Sequence, residues 1–287
     1  MSTIATPWRC PTCREDVASP FCPGCGERPV GPPDFTLKGV FAQLLKTIGG
    51  LDGRVLRSLR LLIVQPGALT NAYIAGQRKP LVGPFQLFFL ANFAFFIVQS
   101  LTHTKIFSST LDSHLRHQDW SEAARALLTR HLQATHDTIA RFAPLFDQAV
   151  VLNAKAFIIL MVVPFALLLP PVFFGSRRPF AVHMAFALHL YAMLLLLFCA
   201  ALGVVGIDVL RGGVGLESTW MDNLLTIVNL VVCWVYLYLA IGRVYGGGPM
   251  LRAVKALGLS LAVGAIVLGY RFTVFLITLY GISGPPT

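Results

Sequence analysis

One uninterrupted apolar stretch, FAVHMAFALHLYAMLLLLFCAALGVV (Phe180–Val205), constrains the fold of this chain more than any other feature. A helix needs roughly 20 consecutive apolar residues to cross a bilayer, and this stretch is longer and carries no formal charge. It also contains His183 and His189, and imidazoles rarely face lipid. We therefore predict a membrane-spanning helix that packs against other protein or borders a cavity.

The distribution of charge extends this prediction to a multi-pass membrane protein. Charged residues make up 13% of the chain, against roughly a quarter of an ordinary soluble domain. Each long apolar run is interpreted as a span, and the predicted spans are Pro84–Leu101, Val150–Phe174, Phe180–Val205, Met221–Ile241 and Ala256–Ile282. The predicted fold is all-α, a five-span transmembrane helix bundle occupying residues 83–287.

The positions of the basic residues predict which ends of the spans are cytosolic. Arg177 and Arg178 separate the second and third runs, and Arg243, Arg252 and Lys255 separate the fourth and fifth. Lys and Arg accumulate in cytosolic loops, so we expect the N-terminus in the cytosol and the C-terminus outside. The start of the chain lacks a basic region followed by an apolar one, which argues against a signal peptide.

The net charge of +10 is also explained by basic residues at the ends of the predicted spans. The basic residues flank apolar runs, which favours anionic lipid headgroups as partners and makes nucleic acid an unlikely one.

Four cysteines near the N-terminus form two C-x-x-C pairs, Cys10 with Cys13 and Cys22 with Cys25. Four thiolates in close pairs suit tetrahedral zinc, and four protein ligands leave no open position for catalysis. The sequence thus predicts a structural zinc ribbon over residues 1–28. A thioredoxin-like redox pair would need a βαβ context, which is missing. An iron–sulfur cluster stays an open alternative, although the spacing does not match the usual ferredoxin motifs. Whether this head docks or senses a partner, or only stabilises the terminus, stays open.

Two short segments connect the head to the spans. Residues 29–34 form a stiff, proline-rich linker, and residues 35–82 are predicted as basic amphipathic helices at the membrane interface. In the second helix the expected apolar face is Val55, Leu59 and Ile63. The basic residues expected at the membrane surface are Arg54, Arg57, Arg60, Arg78 and Lys79. The alternative is that these helices pack against the cytosolic end of the bundle.

The polar segment 102–148 lies between the first two spans and is expected outside the membrane. Its stretch Ser121–Ala140 is predicted as a helix with Ser121 as the N-cap. Several histidines occur here, and His114 and His117 stand three residues apart. A weak metal site at this pair is the less favoured interpretation, since such pairs commonly occur without metal.

Polar residues inside the spans are candidates for function. In the fourth span, helical spacing places one set on a single inward-facing stripe, Asp222, Thr226, Asn229, Cys233 and Tyr236. The stripe would line a pathway or form a seam between helices. Arg271 is expected near mid-depth, where it suits an anion, a lipid headgroup or a hydrogen-bond cluster with Asn92 and Asn229.

The spacing of the two histidines in the third span limits their role. His183 and His189 are six residues apart and point in different directions from one helix, so a shared ligand is disfavoured. We expect His183 at the cytosolic interface and His189 in a hydrogen bond to a neighbouring helix.

Three of these motifs together resemble an uncharacterised family of bacterial membrane proteins, domain of unknown function 3667. The similarity rests on the four cysteines with Gly26, on Pro66-Gly67 through Tyr73–Lys79, and on His183–His189. The resemblance implies a multi-pass fold in the bacterial inner membrane and brings no established activity with it.

Common catalytic motifs, including H-E-x-x-H, G-x-S-x-G and a Walker loop, do not occur, which favours a role other than catalysis and gives no catalytic residue. The first hypothesis is a small oligomeric channel- or transporter-like protein with a polar pathway for an ion or anionic solute. Narrowly behind it stands a scaffold or assembly partner that docks cytosolic proteins through the zinc ribbon. A lipid-modifying enzyme using His183, His189 and Arg271 comes third.

Overall fold

The computed structural model describes residues 7–27, 53–102, 107, 109–116, 118, 120–215 and 218–282. The predicted linker 29–34 and the first amphipathic segment lie outside these residues.

The N-terminal head consists of two short antiparallel strands and the turns that carry the cysteines. Strand β1 (Trp8–Arg9) pairs with β2 (Asp16–Val17), so that Trp8 faces Val17 across the ladder. The buried cluster of the head contains only Cys10, Val17 and Cys22, with Trp8 and Cys25 packed against it. So few apolar side chains cannot fold a segment on their own, which is the situation in which a metal supplies the folding free energy.

Outside the head, the described elements are helical, which confirms the all-α prediction. In chain order they are α1 (Gly53–Val64), α2 (Ala68–Ile74), α3 (Pro84–Leu101), α4 (Leu111–Arg116), α5 (Ser121–Thr135), α6 (Ile139–Phe157), α7 (Val162–Val172), α8 (Phe180–Leu210), α9 (Thr219–Val244) and α10 (Pro249–Gly281).

Within the described residues, five helices are long and apolar enough to cross a membrane, as the sequence predicted. They are Pro84–Leu101, Ile139–Val172, Phe180–Leu210, Trp220–Val244 and Pro249–Gly281. The second begins at Ile139 rather than Val150, and the fifth at Pro249 rather than Ala256. A helix continues past its apolar core for as long as its backbone hydrogen bonds can form, so apolar length underestimates it.

The second span is interrupted where a proline requires it. A 3₁₀ turn (Ile158–Met161) separates α6 from α7, and Pro164 follows in the first turn of α7. Proline has no N–H to donate and its ring crowds the carbonyl of Leu160 four residues earlier, which loosens the helix at this turn.

Helix α8 lies at the centre of the bundle. Every residue from Ala181 to Leu195 is buried, and α8 packs against α3, α7 and α2. The loops 173–179 and 245–248 lie at the same end as α2, as the bond from Arg243 Nη1 to the Pro66 carbonyl shows (2.8 Å). We call this end the head end. The opposite or far end carries α4 and α5, against which the last turns of α10 pack.

One local prediction is wrong and another stays a prediction. Helix α1 buries Ser58 and Leu62, while Ile63 of the predicted apolar face is 60% exposed, as a side chain that faces the membrane would be. The Ser58 hydroxyl accepts a hydrogen bond from the Val82 N–H (2.9 Å), a contact that periodicity cannot reveal. Ser121 is the first residue of α5 rather than its cap, since Trp120 occupies the N-cap position.

Candidate functional site

The four head cysteines form a cluster with the dimensions of a metal centre. Cys10 Sγ lies 3.4 Å from Cys25 Sγ, and Cys13 Sγ lies 3.3 Å from Cys22 Sγ. All four ligand atoms lie within 4.8 Å of one another. A tetrahedral site with metal–sulfur bonds of about 2.3 Å has edges of about 3.8 Å, so a metal ion fits between these sulfurs. Among the described residues, these four cysteines are the one group of His, Cys, Asp or Glu side chains found close enough together to hold a metal ion.

The backbone around the cluster favours thiolate. Burial raises the pKa of the Cys10 thiol, but hydrogen bonds from the backbone N–H groups of Cys13 and Thr12 outweigh it and lower the pKa to about 7. For Cys13 the backbone N–H of Glu15 acts in the same direction, yet the neighbouring thiols raise its pKa to about 12. Several anions this close together repel one another, and a cation among them would remove that penalty.

The head is fastened to the membrane domain by a buried carboxylate that the sequence analysis did not single out. Glu27 is 2% exposed, and its Oε2 accepts hydrogen bonds from the backbone N–H groups of Arg78 and Lys79 at 3.1 Å each. The same oxygen accepts a bond from the Thr12 hydroxyl (3.0 Å). One atom therefore connects the first cysteine turn to the loop between α2 and α3.

Local geometry presents that loop to the head. Helix α2 ends in a Schellman motif, in which Gly76 has a φ of 82°. The Gly76 N–H donates to the Tyr73 carbonyl, and the Gln77 N–H donates to the Ala72 carbonyl. The turn directs Gln77 toward the head, where its amide donates to the Pro11 carbonyl (2.7 Å). Ala75 is the C-cap of α2, and Gly76 follows it in the left-handed conformation.

Residues 66–79, which we call the hub, also hold two spans together. Thr70 Oγ1 shares a hydrogen bond of 2.9 Å with His189 Nδ1, and both side chains are buried. The Asn71 amide donates to the Arg243 carbonyl at the end of α9 (2.9 Å). The hub thus contacts the head, α8 and α9. His189 takes the role expected of it, a hydrogen bond to a neighbouring helix.

His183 lies in a separate arrangement at the head end. Its Nδ1 shares a hydrogen bond of 2.8 Å with the Tyr245 hydroxyl, and the two rings are nearly parallel, 8° apart. Tyr245 also stacks on Phe173, with ring centroids 4.0 Å apart. The two histidines of α8 therefore have different partners, and the structure does not bring them to one ligand.

The polar stripe of α9 divides along its length. Cys233 and Tyr236 are buried toward the head end, whereas Asp222 and Thr226 are exposed and Asn229 is partly exposed. The part of the stripe near the far end therefore faces outward from a single chain rather than inward.

Arg271 lies nearer the far end than the sequence suggested. Because α10 begins at Pro249, Arg271 is about 33 Å along the helix, and its Nη2 donates to Ser109 Oγ (2.8 Å). Neither Asn92 nor Asn229 is among its described partners; Asn92 Oδ1 is buried without a hydrogen bond to the described residues. His183, His189 and Arg271 each bond a different element, so they do not form one catalytic group.

The basic residues assigned to the membrane surface differ in their surroundings. Arg57 and Arg60 are exposed on α1, next to the exposed apolar side chains of Leu56 and Ile63, while Arg54 is partly buried. Lys79 is exposed, but the guanidinium of Arg78 lies over the Tyr73 ring, 5.4 Å from its centroid.

Comparison with known proteins connects the hub to a family. The sequence profile of a family described as "Protein of unknown function (DUF3667)" matches residues 52–96. This match confirms the resemblance over α1, the hub and most of α3. The class of protein that it indicates is an uncharacterised one. The cysteine cluster and the histidine motif lie outside the matched residues. No curated protein and no solved structure matches the chain.

Sequence reasoning missed the groups that join these motifs. Glu27 follows the last cysteine of the head by two residues, and nothing in the local sequence indicates its partners in the hub. Thr70 and Tyr245 likewise carry no local signal of their partners, since each partner belongs to a distant part of the chain.

Proposed function

We propose that the protein is a scaffold or assembly partner of the bacterial inner membrane, in which a zinc-bound head forms a cytosolic docking platform. The Glu27 contact carries this proposal. A head tethered only by its linker would sample many positions, whereas hydrogen bonds from Gln77, Arg78 and Lys79 of the hub hold it at one place on the membrane domain. A partner bound to the head would then be held at a defined position above the bilayer.

The basic loops support the proposed orientation. Arg177, Arg178 and Arg243 all belong to the head end, which is the distribution expected of a cytosolic face. With five crossings the C-terminus would lie outside. Zinc is proposed as the metal because four thiolates in tetrahedral arrangement are its preferred structural site.

Site-specific crosslinking in native membranes tests the docking role. A photo-reactive residue at Phe21, which is 61% exposed on the head, should crosslink one defined cytosolic protein, and a probe at Leu210, 88% exposed at the far end, should not. The purified partner should then bind the full-length protein in nanodiscs directly. Binding of the partner should be lost in Cys22→Ser and reduced in Glu27→Ala. If both variants bind the partner as tightly as the unmodified protein does, the docking role is refuted.

A second candidate is the polar pathway, and one observation favours it. Asp222, Thr226 and Asn229 are accessible on the half of α9 that other described helices leave largely uncovered. Polar groups facing lipid are costly, so a second copy of the chain is the natural partner for this face. A pathway for an ion or anionic solute would then run between copies, in a homo-oligomer.

Flux measurements distinguish the pathway from a seam. In liposomes, Thr226→Val and Asn229→Leu should abolish solute flux if the stripe lines a pathway between copies. If crosslinking shows that the oligomer forms but flux is absent in the unmodified protein, the stripe is a seam and the scaffold remains.

A further inference from the structure

A cavity of about 210 Å³ lies at the head end, apart from the metal cluster and the hub. It is bordered by the segment after α7, the end of α9, the glycine loop 245–248 and the first two turns of α10. Its polar lining includes Ser176, Tyr245, Arg252 and Lys255. Pockets for drug-sized molecules measure roughly 300–1,000 Å³, so this one suits a smaller group.

The cavity is positively charged without a protein counter-ion. None of its lining residues carries a carboxylate, and within the described ranges neither Arg252 nor Lys255 forms an ion pair. Both cations are positioned by neutral groups. Arg252 Nη2 donates to the Tyr238 hydroxyl (2.6 Å) with its guanidinium over that ring, and Lys255 Nζ donates to the Val172 carbonyl (2.8 Å).

Two buried donors at the cavity have no partner. Arg252 Nε and Ser176 Oγ are inaccessible to solvent and form no hydrogen bond with the described protein. Buried polar atoms are nearly always bonded, so orphans of this kind at a cavity indicate a missing acceptor. Both atoms belong to side chains that line the cavity, and rotation of either side chain toward a bound anion would give its donor an oxygen acceptor.

The backbone around the cavity favours the same sign of ligand. Gly246 and Gly247 have φ values of 74° and 98°, and a Cβ at either would meet only open space. Helix α10 begins immediately afterwards at Pro249, and Leu251 in its first turn borders the cavity, so the positive end of the helix dipole lies beside it. Cations in the first turns of a helix oppose its dipole, and a bound anion would relieve that repulsion.

We propose that this cavity binds a phosphate group, supplied by an anionic phospholipid or by a soluble phosphate compound. Arg252 and Lys255 provide charge-assisted hydrogen bonds, Ser176 contributes its hydroxyl, and the glycine loop lets the phosphate approach the backbone. The site lies where the ends of three spans meet, which is the depth of lipid headgroups. The inference does not depend on the scaffold role of the head.

The lipid source is tested with the full-length protein in nanodiscs of equal parts phosphatidylglycerol and phosphatidylcholine. Lipid that co-purifies after detergent extraction is quantified by native mass spectrometry. The unmodified protein should retain phosphatidylglycerol about tenfold over phosphatidylcholine, and R252Q/K255Q should retain both equally. The matched control R130Q/R141Q removes the same charge from exposed positions of α5 and α6 at the far end and should retain the preference.

The soluble source is tested with inorganic phosphate and glycerol 3-phosphate, titrated into the protein in phosphatidylcholine nanodiscs. Binding that is lost in R252Q/K255Q would assign the site to soluble phosphate. If the double variant fails to fold, Ser176→Ala decides, because it keeps both charges and should weaken retention about threefold. The proposal is overturned if the double variant or Ser176→Ala binds as the unmodified protein does, or if R130Q/R141Q loses as much.

Discussion

A single carboxylate connects the metal-binding head to the membrane domain. Glu27 accepts hydrogen bonds from Thr12 on one side and from two backbone N–H groups of the hub on the other. Bonds to a carboxylate are roughly twice as strong as neutral ones, and the donors would be left unpaired without it. Glu27 therefore makes most of the described hydrogen bonds between the head and the membrane domain, and the bond from Gln77 to the Pro11 carbonyl adds one more.

Replacing Glu27 with Gln should loosen the head without unfolding it. The amide keeps the shape but loses the charge and one acceptor, at a cost of about 1–3 kcal/mol. Hydrogen exchange of the Arg78 and Lys79 amides should accelerate accordingly. Asp16→Asn, on an exposed position of β2, should leave their exchange unchanged. Equal protection in Glu27→Gln would show that other contacts hold the head.

Gly67 is a position where only glycine fits. Its φ is 84°, and a Cβ there would lie 2.9 Å from the Ala240 carbonyl oxygen on α9. Gly67→Ala should lower the stability of the head end by at least about 2 kcal/mol, from the left-handed backbone and the clash together. The apparent melting temperature in detergent measures this. Gly203→Ala, whose Cβ meets open space on α8, should not lower it.

Among the described elements, the head is the one whose folding we expect to depend on a bound metal. Its buried cluster is too small to fold alone, so removing the metal should unfold residues 7–27 while the spans persist. Chelation or Cys22→Ser should make the head sensitive to protease, with little change in far-UV circular dichroism. Cys199→Ser, half-buried on α8, is the matched control. A head that stays protected without metal would contradict the metal-centred fold.

The far-end segment should detach at low pH through His114. Burial, together with the charge of Arg271, lowers the pKa of His114 to about 4 from its usual 6.5. The Trp120 indole N–H donates to His114 Nδ1 (3.2 Å), so that nitrogen is unprotonated in the fold. Helix α6 packs against this segment and carries one carboxylate in contact with it, Asp147, which accepts a hydrogen bond from the Leu111 N–H.

A folded-state pKa below the ordinary value means that the unfolded segment binds a proton first. The stabilisation is present above pH 6.5 and is lost as the pH falls toward 4, by about 3 kcal/mol in total. Hydrogen exchange of α4 and α5 measured across this range should show the loss. In His114→Gln the exchange should vary much less with pH, and an unchanged profile in that variant would contradict the assignment.

For the molecule as a whole, the five crossings place the head end and the far end on opposite sides of the bilayer. Met250 and Leu210 are 83% and 88% exposed near the two ends. In intact cells a membrane-impermeant maleimide should label Leu210→Cys, and should label Met250→Cys only after permeabilisation. The unmodified protein supplies the background labelling. Labelling of both from one side would overturn the topology.

Prediction from sequence succeeded where the signal is local. Apolar length identified the five spans, and the spacing of Cys10, Cys13, Cys22 and Cys25 identified the cluster, because each depends on residues near one another in the chain. It was less accurate for the start of the second span, where the helix extends through polar residues to Ile139. The prediction that the polar stripe of α9 faces inward was correct only for its buried half near the head end. Periodicity shows which residues share a face of a helix, but not which part of the protein covers that face.

Composition and spacing alone determined that this chain is a five-span helical membrane protein with a four-cysteine head. Only the tertiary structure decided how those parts meet, because the deciding contacts join residues far apart. Glu27 bonds Arg78 across 51 positions, and Thr70 bonds His189 across 119. No local pattern encodes such pairs, since each side chain finds its partner only after the spans have packed and the polar groups left in apolar surroundings must be satisfied.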